Sequence, residues 1–393
     1  TTNQLYYSTS MGIPILSSDI QESDLYKIRY TINEPSITFT AIKFSPNGQN
    51  FACSSSNGKI YIYNTTTGKL ITTLSGHTKG ISDIVYSPIN SNILASCSDD
   101  LTIRLWNITQ QRCIKLLRKH TYHITTLKFT QKGNILISGS SDETITIWDI
   151  TSNGGKILTT LAAHSDPVLS IALTPDDSII VSASYDGLMR LFDLQTSQCL
   201  KTLTNSTFGG HGTATASTND VINFPIAKVE LSPNGQFILN SSLDGKIRLW
   251  NYMENKVYKT YQGINGEKIC EKFNCDIKFI TRNVNSNAIT ITSNNNDDEQ
   301  YNNVLIVSGS DSTGLLIWDI QLKQIVFQVD PQTCGKDAIL GVDTYKQGEI
   351  LGCCSRDGII TILDMNKKYT ERNDSVQQQK EVIDTESRGE TPI

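Results

Sequence analysis

The chain has 393 residues, of which 38% are hydrophobic and 8% aromatic, with 34 Lys and Arg against 39 Asp and Glu. This composition supports one large hydrophobic core or two modest ones, and it excludes a disordered or fibrous chain. The net charge of −5 leaves no positive excess to neutralise nucleic-acid phosphates, and no run of five or more Lys or Arg is present. Binding to DNA or RNA by charge alone is therefore disfavoured.

Signals for membrane insertion and secretion are missing from the sequence. No apolar stretch reaches the length of a membrane-spanning helix, and the first residues lack a basic region followed by an apolar one. We therefore expect a soluble, unsecreted protein.

The nine cysteines of the chain are scattered and never spaced C-x-x-C. They are predicted to be buried free thiols in a reducing compartment, without a metal or disulfide role.

Two segments precede the first repeated unit. Residues 1–22 lack apolar periodicity and are predicted to be disordered. Residues 25–32 alternate polar and apolar side chains at period two, which is typical of a β-strand. This strand has no partner strands of its own.

A repeated phrase then runs through the chain: an apolar alternating segment, Ser-rich residues, a turn with an acidic residue, and a short apolar segment that ends in an aromatic residue and Asp or Asn. It occurs seven times, and all four tryptophans occupy one position in it. The residues at this aromatic position are Tyr63, Trp106, Trp148, Phe192, Trp250, Trp318 and Leu363. The phrase predicts seven copies of one β-sheet unit.

The spacing of the repeat identifies the architecture. Successive aromatic positions are 43, 42, 44, 58, 68 and 45 residues apart. A period of about 40–45 residues is that of WD-repeat propeller blades, each of which is a four-stranded sheet. The two long spacings contain insertions at about 205–223, rich in Thr, Ser and Gly, and at 283–303, rich in Asn and Asp. Both are expected to be mobile surface loops.

Polar residues recur at two further positions. Six residues before the aromatic position stands an acceptor suited to a tight turn, namely Asn57, Asp100, Asp142, Asp186, Asp244, Ser312 or Asp357. Before the first strand of three repeats stands His77, His120 or His164. These residues predict buried His-Ser-Trp-Asp networks within the blades: His77 with Asp100 and Trp106, His120 with Asp142 and Trp148, and His164 with Asp186.

Asp100, His77 and Ser96 also have the residue types of a hydrolase triad. The same types recur in successive repeats, whereas a catalytic site needs one activated nucleophile beside an oxyanion hole. The repetition therefore favours a structural role. The sequence contains no Walker loop, G-x-G-x-x-G, H-E-x-x-H or paired-cysteine zinc site, so neither an activity nor a cofactor is predicted.

Together these elements predict an all-β fold, a seven-bladed WD-repeat β-propeller spanning residues 23–366. A closed propeller must protect its sheet edges, and one solution combines strands from both chain ends in one blade. We therefore expect the strand at 25–32 to complete the last blade, whose other three strands lie within residues 339–365. The tail at 367–393 mixes charges of both signs with Gln and is predicted to be disordered. The alternative is that this tail is a regulated or partner-binding segment.

Several phrases resemble one WD-repeat family more closely than WD repeats in general. They lie at residues 44–48 (FSPNG), 75–77 (SGH) with 80–83 (GISD), 163–168 (AHSDPV), 184–188 (SYDGL) and 199–203 (CLKTL). The family is the seven-bladed subunit of the SET1/MLL-type (COMPASS) complexes, which methylate lysine four of histone three. The resemblance covers about residues 26–365 without the two insertions. It implies a nuclear, non-catalytic scaffold that joins the SET-domain methyltransferase subunit to its companions.

The resemblance implies a first site at the mouth of the central channel. There the family holds an arginine of a partner peptide between two Phe rings, through stacking and cation–π attraction. The rim of that site is matched by Ser82, Asp99, Tyr185 and Cys270. One Phe position becomes Thr125, and the other falls on Lys272 unless the sixth blade takes a register anchored on Cys275. A cation at Lys272 would repel an arginine, so an ordinary channel lining is the alternative.

The second implied site is a cleft on the opposite face, between the fifth and sixth blades, which receives an acidic and apolar peptide of a neighbouring subunit. Matching residues are Asn234, Phe237, Leu249 and Gln321. The ring and the Leu supply an apolar floor, while the amides can satisfy peptide backbone groups as they are desolvated. The alternative is structural, since Ser-Pro-Asn-Gly at 232–235 is also a plain hairpin turn and Leu249 would fit the blade core.

The sequence thus predicts a monomer within a hetero-complex that binds a SET-domain subunit, other subunits and a histone tail, without direct contact to nucleic acid or membrane. Two alternatives stay open: a scaffold of another intracellular complex, in RNA processing or ubiquitin ligation, and an enzyme. No F-box-like helical segment is found, no polar constellation is unique to one repeat, and no basic aromatic groove favours RNA binding.

Overall fold

The computed structural model describes residues 24–152, 154–204, 224–282 and 304–367. These residues form seven four-stranded antiparallel sheets, which are the seven blades of the predicted propeller. The fold class predicted from the repeat is therefore confirmed. Both predicted insertions, the segment 1–22 and all of the tail beyond Lys367 lie outside the described residues.

The chain begins with β1 (Tyr26–Asn33), which belongs to the last blade. Blade 1 comprises β2 (Phe39–Phe44), β3 (Asn50–Ser55), β4 (Lys59–Asn64) and β5 (Leu70–Ser75). Blade 2 comprises β6 (Ile81–Ser87), β7 (Asn90–Ser98), β8 (Thr102–Asn107) and β9 (Arg112–Arg118). Blade 3 comprises β10 (Ile124–Phe129), β11 (Ile135–Ser140), β12 (Thr144–Asp149) and β13 (Lys156–Ala162). Blade 4 comprises β14 (Val168–Leu173), β15 (Ile179–Ser184), β16 (Leu188–Asp193) and β17 (Cys199–Thr204).

Blade 5 comprises β18 (Ile226–Leu231), β19 (Phe237–Ser242), β20 (Lys246–Asn251) and β21 (Lys256–Tyr261). Blade 6 comprises β22 (Ile277–Thr281), β23 (Val304–Ser308), β24 (Leu315–Asp319) and β25 (Ile325–Val329). Blade 7 comprises β26 (Ile339–Tyr345), β27 (Ile350–Ser355), β28 (Ile359–Met365) and β1. Between strands lie the short helix α1 (Pro331–Cys334) and 3-10 turns at Ile264–Gly266 and Lys346–Gly348. Within the described ranges, none of the helices has the length and apolar character that crossing a membrane requires.

The first strands of successive blades pack against one another around a central channel. In each blade the second and third strands are mostly buried, and polar residues such as Ser54 in β3 and Arg248 in β20 lie among their apolar ones. The residues at the aromatic position of the repeat lie in these third strands, and each is at most 4% exposed. They pack in the hydrophobic clusters between neighbouring sheets, which explains why large side chains recur there.

The N-terminal strand closes the ring as the sequence predicts. Strand β1 pairs antiparallel with β28, from Tyr26 opposite Met365 to Asn33 opposite Ile359. The Tyr26 hydroxyl donates to the Gly348 carbonyl oxygen at 2.6 Å. Leu25, just before the strand, is fully buried. Closure thus gives the last blade a fourth strand and protects the edge of β28.

Strand order defines two faces. Hairpins between second and third strands, and the links from each fourth strand to the next blade, lie on what we term the upper face. The hairpins between first and second and between third and fourth strands lie on the lower face.

All nine cysteines are free thiols; seven are buried as predicted, whereas Cys113 is half-buried and Cys199 is exposed on the outermost strand of blade 4.

Candidate functional site

Buried polar side chains join the strands of blade 2 near the upper face. His77 Nδ1 lies 2.8 Å from Asp100 Oδ2, and His77 Nε2 lies 2.7 Å from Ser96 Oγ. The Trp106 indole N–H donates to the same Ser96 oxygen at 2.8 Å. Each polar atom of this chain of contacts is thereby paired, as burial requires.

Blades 3 and 4 repeat the arrangement. The His-to-Asp distances are 2.9 Å for His120 and Asp142 and 3.0 Å for His164 and Asp186, and the His-to-Ser distances are 2.7 Å to Ser138 and 2.8 Å to Ser182. Trp148 donates to Ser138 at 2.9 Å, whereas Phe192 of blade 4 has no N–H to donate. Three blades therefore share one geometry, and the serine of the first, Ser96, is fully buried. A substrate would have no access to it, so this geometry supports architecture rather than catalysis.

Protonation of the network follows from its contacts. Burial by itself would raise the pKa of Asp100, but hydrogen bonds from Thr102 and His77 outweigh it and hold that pKa below its usual value. Burial lowers the pKa of His77, and the contact with Asp100 opposes this only in part. At neutral pH the network therefore pairs a carboxylate with a neutral imidazole.

Other blades join their strands differently, which the sequence analysis did not foresee. In blade 5 the guanidinium of Arg248 bridges Ser242, at 2.8 Å, and the carboxylate of Asp244. In blade 6 the Trp318 indole donates to the backbone carbonyl of Gln262 at 2.9 Å. An arginine also stands four residues after the turn Asp in blades 2 and 4, as Arg104 and Arg190, so this spacing alone was not a signal for the bridge of blade 5.

Charged residues of the first strands, and Asp276 directly before β22, meet inside the channel. Lys43 of blade 1 lies 3.4 Å from Asp276 of blade 6, and Lys228 of blade 5 lies 2.8 Å from the other oxygen of that carboxylate. Lys278 of blade 6 lies 2.9 Å from Glu230 of blade 5. Lys43 and Asp276 belong to blades that are not neighbours, so the contact crosses the channel.

The channel charges are completed by three further residues. Lys128 approaches Glu230 at 3.9 Å, Asp343 lies 4.0 Å from Lys278, and Asp83 accepts the Leu127 N–H at 3.0 Å. Burial would raise the pKa of Asp276, but Lys228 and Lys43 outweigh it and hold that pKa far below its usual value. The cavity among these side chains is about 20 Å³, room for about one water molecule and too small for an arginine side chain.

Four of the predicted channel-mouth residues lie on the upper face of blades 2 to 4. The Ser82 hydroxyl donates to Asp99 Oδ1 at 3.3 Å, and the same oxygen lies 3.7 Å from His123 Nδ1. Tyr185 is 54% exposed. Thr125 Oγ1 lies 3.1 Å from the Gly139 carbonyl oxygen and also within hydrogen-bond distance of the Val168 carbonyl, so it joins neighbouring first strands.

The remaining two predicted mouth residues, Cys270 and Lys272, do not lie at the channel wall, because the sixth blade adopts the other register. Ile277 pairs with Ser308 in the way that Ile42 pairs with Cys53 in blade 1, which places Cys275 at the mouth position that Thr40 holds there. The register anchored on Cys275 is therefore the one adopted, and the placement of Lys272 at the channel wall was wrong. Lys272 is exposed in the preceding loop, where its N–H donates to Asp311 at 2.9 Å. Cys270 is buried in the same loop.

Two aromatic features of the upper face were missed by sequence reasoning. The Tyr122 ring, 57% exposed, stacks on His123 with centroids 4.6 Å apart. The Arg356 guanidinium lies 4.3 Å from the centre of the Phe273 ring and 3.4 Å from Asp337. This face thus contains a contact between an arginine and an aromatic ring, but the arginine belongs to this chain and not to a partner peptide. Tyr122, His123 and Phe273 lie in links between blades, whose conformation the repeat does not define, whereas Arg356 stands directly before the turn residue of blade 7.

On the lower face the structure brings together part of the predicted cleft. The half-buried Phe237 ring lies 5.6 Å from the ring of Tyr258, which is 56% exposed. Lys259, next on β21, donates to Gln321 Oε1 at 2.6 Å across the gap between blades 5 and 6. The cleft as observed therefore consists of Phe237, Tyr258, Lys259 and Gln321, of which Tyr258 and Lys259 were not predicted.

The other two predicted cleft residues have structural contacts. Leu249 is 3% exposed within the core between blades 5 and 6, so it supports the cleft from beneath and does not line it. The exposed Asn234 accepts from Ser232 Oγ at 2.6 Å and from the Gln236 N–H at 3.1 Å. Asn47 makes the equivalent contacts in blade 1, at 2.7 and 3.1 Å. The side-chain conformation of Asn234 is thus that of the hairpin turn.

Seven four-stranded blades, three of which share a His-Ser-Asp network, define the chain as a WD-repeat β-propeller. Within this class, the family described as the WDR5 beta-propeller domain matches residues 31–364. The chain belongs to this family.

Curated relatives agree with this assignment. The COMPASS component SWD3 of Saccharomyces cerevisiae is 33% identical over 293 residues, which cover 74% of this chain and 84% of that protein. Nuclear distribution protein PAC1 of Arthroderma benhamiae is 28% identical over 57% of this chain and 52% of its own length. Polycomb protein EED of Chaetomium thermophilum is 40% identical over 92 residues, 22% of this chain and 16% of that protein. The last two are similar over a part of the propeller.

Proposed function

We propose that this protein is a non-catalytic WD-repeat scaffold of a COMPASS-type complex, which methylates lysine four of histone three in the nucleus. The observation that carries the proposal is the similarity to a COMPASS component over most of both chains. The matched phrases of the sequence support the same assignment. In this proposal the protein is a single copy that binds a SET-domain subunit and other subunits, without a catalytic site or cofactor of its own.

The lower cleft is the proposed docking site for a companion subunit. The exposed Tyr258 ring beside Phe237 offers an apolar surface, and Lys259 and Gln321 lie at its edge. A peptide with an apolar residue followed by acidic residues would bury its apolar side chain against the rings and place its carboxylates near the Lys259 ammonium. The Lys259–Gln321 hydrogen bond holds these two groups in position before the peptide arrives.

The upper mouth is the proposed site for a histone tail. Asp99, Tyr122 and Tyr185 present a carboxylate and two exposed rings on blades 2 to 4, which suits a cationic side chain. The cavity deeper in the channel is too small for such a side chain, so the contact would be made at the rim.

Affinity purification of the tagged protein from nuclear extract, with mass spectrometry and a methyltransferase assay on histone three, tests the scaffold proposal. Co-purification of a SET-domain subunit with lysine-four methylation is the expected result. A reproducible set of partners without a methyltransferase, such as an RNA-processing or ubiquitin-ligase assembly, would overturn it.

The cleft is tested separately with Phe237→Ala combined with Gln321→Ala. The double variant is expected to lose one companion subunit and to keep the others. Asn47→Ala provides a control for substitution away from the cleft, because Asn47 lies in a turn of blade 1 and should leave every partner bound. Retention of every partner by the double variant would refute the cleft assignment.

A further inference from the structure

Two thiols and a carboxylate converge on the upper face of blade 6. Cys270 lies in the loop before β22, Cys275 precedes that strand by two residues, and Asp311 lies on the hairpin between β23 and β24. The two sulfur atoms and a carboxylate oxygen all lie within 4.8 Å of one another. Cys275 Sγ is 3.9 Å from Asp311 Oδ1. Both cysteines are buried, and the carboxylate is partly exposed.

These separations are close to those around a tetrahedral metal ion. Zinc bonds of about 2.3 Å to sulfur and 2.0–2.2 Å to oxygen place ligand atoms about 3.5–3.8 Å apart. The three atoms therefore need to approach one another by at most about 1.3 Å to share a zinc ion. Side-chain rotations of two cysteines on a loop can supply a movement of this size.

The carboxylate is held in an orientation suited to this role. Asp311 Oδ2 accepts the backbone N–H groups of Glu271, at 2.7 Å, and of Lys272, at 2.9 Å. Its other oxygen is thereby turned toward Cys275. The backbone N–H of Asp311 in turn donates to the Ile269 carbonyl at 3.0 Å, so loop and hairpin are joined before any ion binds. Ligands of structural metal sites are commonly fixed by outer hydrogen bonds of this kind.

The chemistry of the donors selects the ion. Thiolate sulfur favours zinc and other soft ions over magnesium and calcium, which prefer oxygen ligands. Metal-ligating cysteines bind as thiolates, so an ion must displace protons to bind. Affinity should therefore fall as the pH is lowered.

We propose that Cys270, Cys275 and Asp311 bind one zinc ion, with a water molecule as the fourth ligand on the side where Asp311 is partly exposed. The ion would link the loop before β22 to the β23–β24 hairpin. In this blade the tryptophan N–H donates to a backbone carbonyl and not to the serine of a His-Ser-Asp network. This proposal is independent of the proposed scaffold function.

The test uses the full chain, purified under reducing conditions, incubated with zinc sulfate and desalted, with bound metal measured by mass spectrometry. The expected result is about one zinc per chain. Cobalt substitution should give the thiolate-to-cobalt charge-transfer absorption of a site with sulfur ligands. Cys275→Ser and Asp311→Asn should each lose most of the bound zinc and weaken that absorption. Asp311→Asn leaves both buried thiols in place, so it keeps the test valid if the serine variant does not fold.

Cys353→Ser is the matched control, because Cys353 is also a buried thiol beside a second cysteine, Cys334. It should retain the zinc of the unaltered protein. A wild-type chain that retains no zinc, or equal zinc in all variants, would overturn the proposal. A Cys270–Cys275 disulfide in protein purified without reductant and insensitive to zinc would also overturn it. It would be detected as the tryptic peptides 269–272 and 273–278 joined with the loss of two hydrogens.

Discussion

The Lys278 ammonium group lies 2.9 Å from the Glu230 carboxylate, so an ion pair inside the channel joins blade 6 to blade 5. Both side chains are mostly shielded from solvent, at 16% and 23% exposure. Removing one partner leaves the other without its principal counter-charge, a situation that costs more than the pair itself contributes.

Lys278→Met is therefore expected to lower the free energy of unfolding by about 3 kcal/mol. The double variant with Glu230→Gln should recover part of this loss, because neither group is then an unpaired charge. Urea denaturation of the two variants and the wild type measures the difference. Equal stabilities of Lys278→Met and the wild type would show that the pair contributes nothing.

Acid should destabilise the propeller through the same channel. The pKa of Asp276 and that of Glu230 are both held below their usual values, because nearby lysines outweigh the effect of burial. Such groups contribute stability that is fully present above the unfolded-state pKa of about 4 and is lost as the pH falls toward the folded value. Denaturation at a series of pH values should show stability falling below about pH 5. Asp276→Asn should be less stable at pH 7 and should flatten this dependence; an unchanged slope would contradict the assignment.

The difference between the networks of blades 2 and 4 can be measured. Ser96 pairs with both His77 and Trp106, whereas in blade 4 Ser182 has no tryptophan to pair with, since Phe192 stands there. Ser96→Ala should cost about 1–3 kcal/mol more than Ser182→Ala, because it leaves the additional indole N–H unpaired. Thermal or urea unfolding of the two variants tests this, and equal losses would show that the indole bond is not required.

Leu249 and Gln321 should respond differently although the sequence places both in one cleft. Leu249→Ala removes a side chain that is 3% exposed and should cost about 2–5 kcal/mol. Gln321→Ala alters a partly exposed amide and should change stability by less than about 1 kcal/mol. A Leu249 variant that loses partner binding must therefore be checked for unfolding, for example by circular dichroism, whereas Gln321 variants report on binding itself.

Removal of the closing strand should affect the whole ring. Deleting residues 1–33 exposes the edge of β28 and removes the buried Leu25 and Tyr26 side chains, each worth about 1.5–3 kcal/mol. We expect the truncated chain to aggregate or unfold at a much lower temperature, whereas a chain lacking residues 1–22 keeps β1 and should melt near the wild type. Equal melting temperatures of the two truncations would contradict this expectation.

Much of the fold was predictable because each blade carries its own local signal. The aromatic position and the turn acceptors recur in each blade, and the alternation at 25–32 is likewise a property of a few consecutive residues. The register of blade 6 was less accessible, since the loop before β22 contains two cysteines that could each anchor an alignment. Only the pairing of Ile277 with Ser308 decides between them.

The sites were less predictable because they combine residues from different blades. The ion pairs of the channel join side chains as far apart in sequence as Lys43 and Asp276, and no local pattern relates them. Tyr258 and Lys259 face the cleft from the outer strand of blade 5, where the repeat tolerates many side chains. Conversely, Asn47 and Asn234 have the same surroundings in two blades, so the Ser-Pro-Asn-Gly phrase cannot by itself identify a binding surface.

The charge balance inside the channel has a consequence for how partners approach. Four ammonium groups, of Lys43, Lys128, Lys228 and Lys278, stand against four carboxylates, of Asp83, Glu230, Asp276 and Asp343. Such a neutral arrangement produces a field that cancels within a few ångströms, so it attracts neither cationic nor anionic peptides from a distance. Charges on the two faces, such as Asp99 and Lys259, should therefore govern the rate at which a partner associates and the dependence of that rate on salt. The charges inside the channel should have almost no effect on it.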